Sequence, residues 1–160
     1  MCYNSCNKKG NLMQSNLPLW EELPKLELYA DQVLSLINPL CEIYHVKPLT
    51  KAMINNYVKL GLIPPPKKKR YQRLHIAYLF VIAFLKEGFD ISLIKEGILK
   101  ETKRLGLKEA YNAFIDALVH ALNTPQESEL VHEGLSPIMF HATQCIAHQK
   151  RAQQWITSQN

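Results

Sequence analysis

The chain has 160 residues and a mass of 18.4 kDa, which fits one domain or one small domain with a helical appendage. Hydrophobic residues make up 47% and charged residues 21%, which is typical of a soluble globular protein and argues against general disorder. No run approaches the roughly 18 apolar residues that a membrane helix needs, and four scattered cysteines do not form a disulfide framework. These features predict a cytoplasmic protein without a membrane partner.

The positive charge is concentrated in one block. Residues 43–86 contain nine Lys or Arg and no Asp or Glu, whereas the segments on either side each carry a small excess of acids. A block with cations alone presents one sign of potential to its partner, and that partner is expected to be a polyanion.

The first predicted helix spans residues 26–43, where apolar residues follow the helical period and Pro39 is expected to end or kink the helix near Asn38. A short second helix begins at Thr50, a typical N-cap, and Gly61 is a natural terminator. Its exposed side is expected to carry two lysines and two asparagines, and we expect Asn55 to read base edges.

Three consecutive prolines at 64–66 exclude a helix in the next segment. Ile63 and Tyr71 are expected to be the inward residues of two short strands in a β-hairpin. The tip of that hairpin would carry the four cations Lys67, Lys68, Lys69 and Arg70, whose mutual repulsion is best explained by a phosphate backbone that binds them.

The rest of the chain is predicted to be helical. Residues 74–88 are apolar around most of the helical circumference and predict a central core helix. Residues 91–98 are predicted to begin a further helix, and residues 108–122 are predicted to form another. The last helical region, 126–158, is interrupted at Gly134 and at Ser136–Pro137. The apolar residues of these C-terminal helices are expected to form a dimer contact or a pocket for a small-molecule effector; they are Tyr111, Phe114, Leu118, Ile138, Phe140 and Trp155.

Residues 50–63, which contain Asn55–Asn56–Tyr57 and then Gly61–Leu62–Ile63, resemble the second helix of MerR-type transcription regulators. Residues 70–73 resemble the wing of those regulators, and residues 79–95 resemble the helix pair that follows. Within the superfamily the chain is most similar to an uncharacterised family of short bacterial MerR-like proteins, over about residues 17–100. The resemblance implies a mainly α fold: a MerR-like winged helix-turn-helix with a small β-hairpin wing, followed by C-terminal helices.

The resemblance also implies roles for individual residues. Tyr57 matches an aromatic that braces a DNA phosphate, and Arg70 and Tyr71 match wing residues that meet the backbone. Asn55 stands where typical MerR regulators carry Arg, and Val58 stands where they carry an acid. The base contacts are therefore expected from Lys51, Asn55, Asn56 and Lys59 instead of from the usual residues. The full set of predicted DNA-binding residues is Lys51, Asn55, Asn56, Tyr57, Lys59, Lys67, Lys68, Lys69, Arg70, Tyr71 and Arg73.

The predicted organisation is a flexible lead at 1–19, a DNA-binding domain at 20–104 and a dimerisation or effector region at 105–160. The predicted function is a sequence-specific regulator of transcription that binds double-stranded DNA as a homodimer. The alternative is an adaptor or antirepressor that uses the same fold on a protein partner, and RNA binding is a third option.

The chain shows no activated nucleophile, so neither catalysis nor a cofactor is predicted. His141, Cys145 and His148 share one helical face and form a weak candidate for a metal site.

Overall fold

The protein is built from α-helices. The computed structural model describes residues 17–124 and 135–158, and a short 3-10 turn at Trp20–Glu22 precedes the helices in those residues. The helices are α1 (Ala30–Ile43), α2 (Lys51–Lys59), α3 (Arg73–Leu85), α4 (Ile91–Leu105), α5 (Leu107–Asn123) and α6 (Pro137–Ser158).

Helix α3 forms the centre of the fold because nearly its whole circumference is apolar. Nine of its thirteen residues are buried, and the helix packs against α1, α5 and α6. This confirms the prediction of a central core helix from the sequence, although the helix ends at Leu85, before the predicted limit. No helix in the described part of the chain is long and apolar enough to cross a membrane.

Helix α1 is shorter at its start than predicted and is not broken by proline. It begins at Ala30, whereas Leu26 is exposed and lies outside it. Pro39 is inside the helix and exposed. A helical proline frees the carbonyl four residues earlier, here that of Ser35, and Ser35 is exposed too, so water reaches that group. The predicted end of the helix near Asn38 is therefore wrong, since α1 continues to Ile43.

The predicted β-hairpin wing is also wrong. In residues 17–124 and 135–158 the only β pairing is two isolated antiparallel bridges, one between Leu28 and Tyr71 and one between Lys67 and Arg70. The three prolines at 64–66 carry no N–H group, so the segment before the turn cannot donate to a ladder. Ile63 and Tyr71 are buried as predicted, but neither belongs to a hairpin strand. The fold is all-helical, and residues 67–70 form a tight turn.

The C-terminal helices lie close to their predicted positions. Helix α5 matches the predicted 108–122 within a residue at each end, and α6 begins at Pro137, where an interruption was predicted. Gly134 lies outside the described residues, as do residues 1–16 of the predicted lead. Pro18, within that lead, is held on α5, because the hydroxyl of Tyr111 donates to its carbonyl at 2.7 Å.

A buried ionic cluster joins α6 to the loop between α1 and α2. The ammonium of Lys150 donates to a carboxylate oxygen of Glu87 at 3.0 Å and to the carbonyl of His45 at 2.7 Å. The other oxygen of Glu87 accepts from the backbone N–H of Lys47 at 2.6 Å. Burial raises the pKa of Glu87, but these hydrogen bonds and charges outweigh it and hold the pKa below its ordinary value. The C-terminal helix therefore helps to fix the loop that leads into α2.

Candidate nucleic-acid interface

Helix α2 has the start and stop signals that the sequence predicts. The hydroxyl of Thr50 accepts from the backbone N–H of Met53 at 3.2 Å and caps the helix. Gly61 follows the helix with φ of 65°, the left-handed conformation that glycine adopts without a Cβ clash. The ammonium of Lys95, from α4, donates to the carbonyl of Leu60 at 2.9 Å and satisfies that carbonyl beside the last turn. Both ends of this short helix are thereby fixed.

The outer face of α2 carries small, amide and cationic side chains. Ile54 and Tyr57 point into the core. Residues 52, 55, 56 and 59 have the spacing of one helical face, and all four are exposed; they are Ala52, Asn55, Asn56 and Lys59. Neither asparagine amide is hydrogen-bonded to another described residue. Both amides are available to a partner.

The basic turn presents four exposed cations. Lys67, Lys68, Lys69 and Arg70 are all exposed, and none of the three lysines forms an ion pair within the described residues. The backbone N–H of Arg70 donates to the carbonyl of Lys67 at 2.9 Å and closes the turn. Lys68 and Lys69 have φ of 49° and 60°, the pattern of a type I′ turn, in which Asn and Gly are the usual residues.

The basic turn and α2 lie on the same side of the molecule, at the N-terminal end of α1. The guanidinium of Arg70 stacks over the ring of Tyr29, 5.0 Å from its centroid, and Tyr29 is the N-cap of α1. Two residues further on, the carboxylate of Asp31 binds the ammonium of Lys51 at 2.7 Å, in the first turn of α2. The basic turn and the first turn of α2 are therefore adjacent.

Backbone pairing holds the turn in this place. The N–H of Leu28 donates to the carbonyl of Tyr71 at 2.9 Å, and the N–H of Tyr71 donates to the carbonyl of Leu28 at 2.8 Å. Two acids border the surface: Asp31 beside Lys51, and Glu27, which accepts from the side-chain amide of Gln72 at 3.0 Å. Both side chains of the Asp31–Lys51 ion pair are exposed, so the pair contributes little to the stability of the fold. A phosphate can therefore replace Asp31 as the partner of Lys51.

Three of the predicted residues are placed differently from the others. Tyr57 and Tyr71 are each 4% exposed, and burial raises the pKa of both hydroxyls. The side chain of Arg73 is 17% exposed, stacks 5.9 Å from the ring centroid of Trp20 and lies 3.4 Å from a carboxylate oxygen of Glu21. The structure thus brings together the outer residues of α2 and the basic turn, while it directs Arg73 towards the 3-10 turn.

Sequence reasoning missed Tyr29 as part of this surface. The predicted first helix, residues 26–43, includes Tyr29, whereas the residue precedes α1 and is exposed. A local signal was present: Gln32 stands three residues after Tyr29, and its side-chain oxygen accepts from the backbone N–H of Tyr29 at 2.8 Å. This is the backbone half of a capping box and marks the true start of α1.

The weak metal candidate does not form a site within one chain. His141, Cys145 and His148 are all exposed on α6. Within the described ranges no three His, Cys, Asp or Glu side chains are arranged so that they could hold a metal ion.

An apolar cavity lies away from the basic surface, among α3, α4, α5 and α6. Its volume is about 390 Å³, within the range of small-molecule sites. Three of the residues predicted to form an effector pocket or dimer contact line it, namely Tyr111, Phe114 and Ile138. Leu118 is instead fully buried in the core.

Comparison with known proteins gives one match. No curated protein matches the chain, and no solved structure matches it. A family model matches residues 18–114, which is more than half of the chain and includes α1 to α4, the basic turn and the first half of α5. The chain therefore belongs to the family described as a domain of unknown function, DUF1836.

Proposed function

We propose that this protein is a cytoplasmic, sequence-specific regulator of transcription that binds double-stranded DNA as a homodimer, in the manner that its resemblance to MerR-type regulators implies. Helix α2 enters the major groove, which is wide enough for one α-helix. The basic turn contacts the phosphate backbone beside that groove. In this arrangement the turn performs the positioning role that was expected of a β-hairpin wing.

The chemistry of the surface divides into two kinds of contact. Lys59 and the cations of residues 67–70 neutralise phosphates, which gives affinity for any sequence. The amides of Asn55 and Asn56 offer a donor and an acceptor in one plane, which match the N6 and N7 edge of adenine. Ala52, with its single methyl group, lets the helix approach the bases closely and suits contact with a thymine methyl.

The observation that carries the proposal is the pair of contacts at the start of α1. Arg70 on Tyr29 and Lys51 on Asp31 bring the basic turn and the first turn of α2 to one end of one helix. Two cationic elements held side by side, in a block of 44 residues without an acid, suit a duplex better than a scattered surface charge would.

The test is a titration of random-sequence duplex DNA with the purified chain at several salt concentrations. If a dimer contacts roughly 6–10 phosphates, the affinity is expected to fall about 10³–10⁵-fold between 50 and 200 mM salt. Replacement of Lys67, Lys68, Lys69 and Arg70 by Ala should abolish this binding.

The matched control removes four positive charges elsewhere: Lys25, Lys100, Lys103 and Lys108 are replaced by Ala. That variant has the same net charge as the first and should still bind duplex DNA. Equal loss in both variants, or an affinity that does not change with salt, would refute the proposal and favour the adaptor that uses this surface on a protein.

A further inference from the structure

The two asparagines on the outer face of α2 point to different sides of the helix. Consecutive residues of an α-helix are turned by about 100° around its axis, so Asn55 and Asn56 cannot face the same base pair. Residues three and four apart are neighbours on the helix surface. Asn55 therefore has Lys51 and Ala52 as its neighbours in the preceding turn, whereas Asn56 has Leu60 as its neighbour in the following one.

Asn55 lies on the side of α2 that borders the basic turn. Its neighbour Lys51 binds the carboxylate of Asp31 at 2.7 Å, in the first turn of α1. At the start of the same helix the guanidinium of Arg70, from the basic turn, lies over the ring of Tyr29. A duplex that contacts both the outer face of α2 and the basic turn therefore meets the helix on the side of Asn55.

Asn56 lies on the side of α2 that borders α4. The carbonyl of its neighbour Leu60 accepts from the ammonium of Lys95, a residue of α4, at 2.9 Å. Both asparagines are exposed, but only Asn55 is between the outer face and the basic turn. Of the two amides, that of Asn55 is therefore the one placed to read a base.

The chemistry of Asn55 and its neighbour Ala52 selects an A·T base pair. The amide of Asn55 has no hydrogen bond to another described residue, and it offers one donor and one acceptor side by side. Adenine presents the complementary pair in the major groove, the N6 hydrogen and the N7 acceptor, whereas guanine presents two acceptors. The methyl group of Ala52 suits the methyl group of thymine.

We propose that Asn55 makes DNA binding depend on the methylation state of adenine N6, so that the protein binds unmethylated DNA and is excluded from a site that carries N6-methyladenine. This inference rests on the proposed function and adds a form of regulation to it. The N6 amine of adenine carries two hydrogens. One pairs with thymine, and the other points into the major groove, where the amide oxygen of Asn55 accepts it.

Methylation of N6 removes this hydrogen bond without breaking the base pair. N6-methyladenine has a single N6 hydrogen, which the pairing with thymine uses, so the methyl group takes the place of the hydrogen in the groove. The amide oxygen of Asn55 then faces a methyl group and loses its partner in a site from which the duplex excludes water. The loss of one bidentate base contact corresponds to about a 5- to 150-fold loss of affinity.

The other side chains of the outer face do not replace this contact. The ammonium of Lys59 has donors only and cannot accept the N6 hydrogen, and Ala52 has no polar group. Among the four residues of the outer face, Asn55 and Asn56 are thus the two that can accept a hydrogen bond through their side chains. The pair supplies a test residue and a control residue of identical chemistry.

The test begins with a duplex that the purified full chain selects from a random-sequence pool. Each adenine of the selected duplex is replaced in turn by N6-methyladenine, and fluorescence anisotropy measures the affinity of the native protein. At the adenine that Asn55 reads, the affinity is expected to fall about 5- to 150-fold. Replacement of the same adenine by 7-deazaadenine, which lacks the N7 acceptor, should weaken binding as well.

The matched variants are Asn55→Ala and Asn56→Ala. Both residues are exposed, so neither change should affect folding. Asn55→Ala should bind the methylated and the unmethylated duplex with equal affinity, because the group that distinguishes them is gone. Asn56→Ala should keep the full difference between the two duplexes. The reverse pattern, or the full difference in both variants, would overturn the proposal.

The same titrations separate this inference from the proposed function. Binding that weakens with salt but does not respond to N6-methyladenine at any position would overturn the role of Asn55 and leave the DNA-binding regulator standing. Absence of salt-dependent binding to any duplex would refute the proposed function, and the methylation dependence with it.

Discussion

Asn38 and Leu49 form two hydrogen bonds in opposite directions and hold the loop that leads into α2 against α1. The amide nitrogen of Asn38 donates to the carbonyl of Leu49 at 3.0 Å, and the backbone N–H of Leu49 donates to the amide oxygen of Asn38 at 2.9 Å. Leu49 is buried, and Thr50, the N-cap of α2, follows it directly. One side chain therefore satisfies both backbone groups at the position where α2 begins.

The first prediction concerns this pair. Asn38→Ala leaves the N–H and the carbonyl of Leu49 without their partner, and the free energy of unfolding is expected to fall by about 1–3 kcal/mol. Urea denaturation of the native and variant proteins measures the loss. Ser35→Ala, at an exposed position of the same helix, should change the free energy by less than about 0.5 kcal/mol. Equal changes in the two variants would show that the pair contributes nothing.

The second prediction separates the stability of the basic turn from its charge. Lys68 and Lys69 both have positive φ, which costs a non-glycine residue about 1 kcal/mol or more. Lys68→Asn with Lys69→Gly supplies the residues that prefer this turn, so the free energy of unfolding should stay the same or rise by about 1 kcal/mol. The affinity for duplex DNA should nevertheless fall, because two cations are lost.

The charge-preserving control for this turn is Lys68→Arg with Lys69→Arg. It keeps both the cations and the unfavourable φ angles, so its affinity for DNA should match that of the native protein. Fluorescence anisotropy across a salt series measures both variants. The slope of log affinity against log salt should be less steep for the Asn–Gly variant by up to about 3.6, because a dimer loses two phosphate contacts in each subunit. Native affinity in the Asn–Gly variant would remove the turn from the interface.

The helices that the sequence predicted correctly are those with local sequence signals. Thr50, Gly61 and the apolar positions between them define α2 within a dozen residues, and the continuous apolar circumference defines α3. The position of the basic turn depends on a contact between residues that are distant in the chain. Tyr71 pairs with Leu28, 43 residues earlier, and no sequence pattern around Tyr71 indicates that partner. The three prolines, which excluded a helix correctly, equally exclude the ladder of the predicted hairpin.

Arg73 illustrates the same limit at a single residue. In the sequence it belongs to the basic run, and a count of charges assigns it to the same surface. In the structure it is the first residue of α3, and the direction of the helix turns its side chain towards Trp20 and Glu21. The number of charges in a basic run can be counted from the sequence. The direction in which each side chain points depends on the helix or turn to which its residue belongs.

The third prediction distinguishes base contacts from phosphate contacts on α2. Asn55→Ala should cost about 1–3 kcal/mol of binding to a duplex selected for high affinity and almost nothing with random-sequence duplex, since an amide reads base edges. Lys59→Ala should weaken both by a similar factor. Both residues are exposed, so neither change should alter the unfolding transition. A uniform loss for Asn55→Ala would assign it to the backbone instead.

The fourth prediction concerns acid and the support of the basic turn. His75 is buried, its Nδ1 accepts from the backbone N–H of Gln72 at 2.9 Å, and its ring contacts the edge of the Tyr71 ring at 5.7 Å between centroids. Burial lowers the pKa of His75 below 6.5, and interactions with the backbone of the proline segment offset this only in part. The folded protein therefore holds the ring neutral, while the unfolded chain takes up a proton near pH 6.5. The stability that this ring contributes is complete above that pH and is lost as the pH falls from there through the folded-state pKa.

His75→Gln keeps an acceptor for the N–H of Gln72, since glutamine suits this third position of a helix, and removes the titration. The native protein should lose more stability than the variant between about pH 7 and about pH 5, measured by urea unfolding at each pH. Hydrogen exchange adds a local readout: because Tyr71 lies on His75, acid should speed the exchange of the Tyr71 and Leu28 amides in the native protein more than in the variant. Parallel pH profiles for the two proteins would show that His75 does not couple acid to the position of the basic turn.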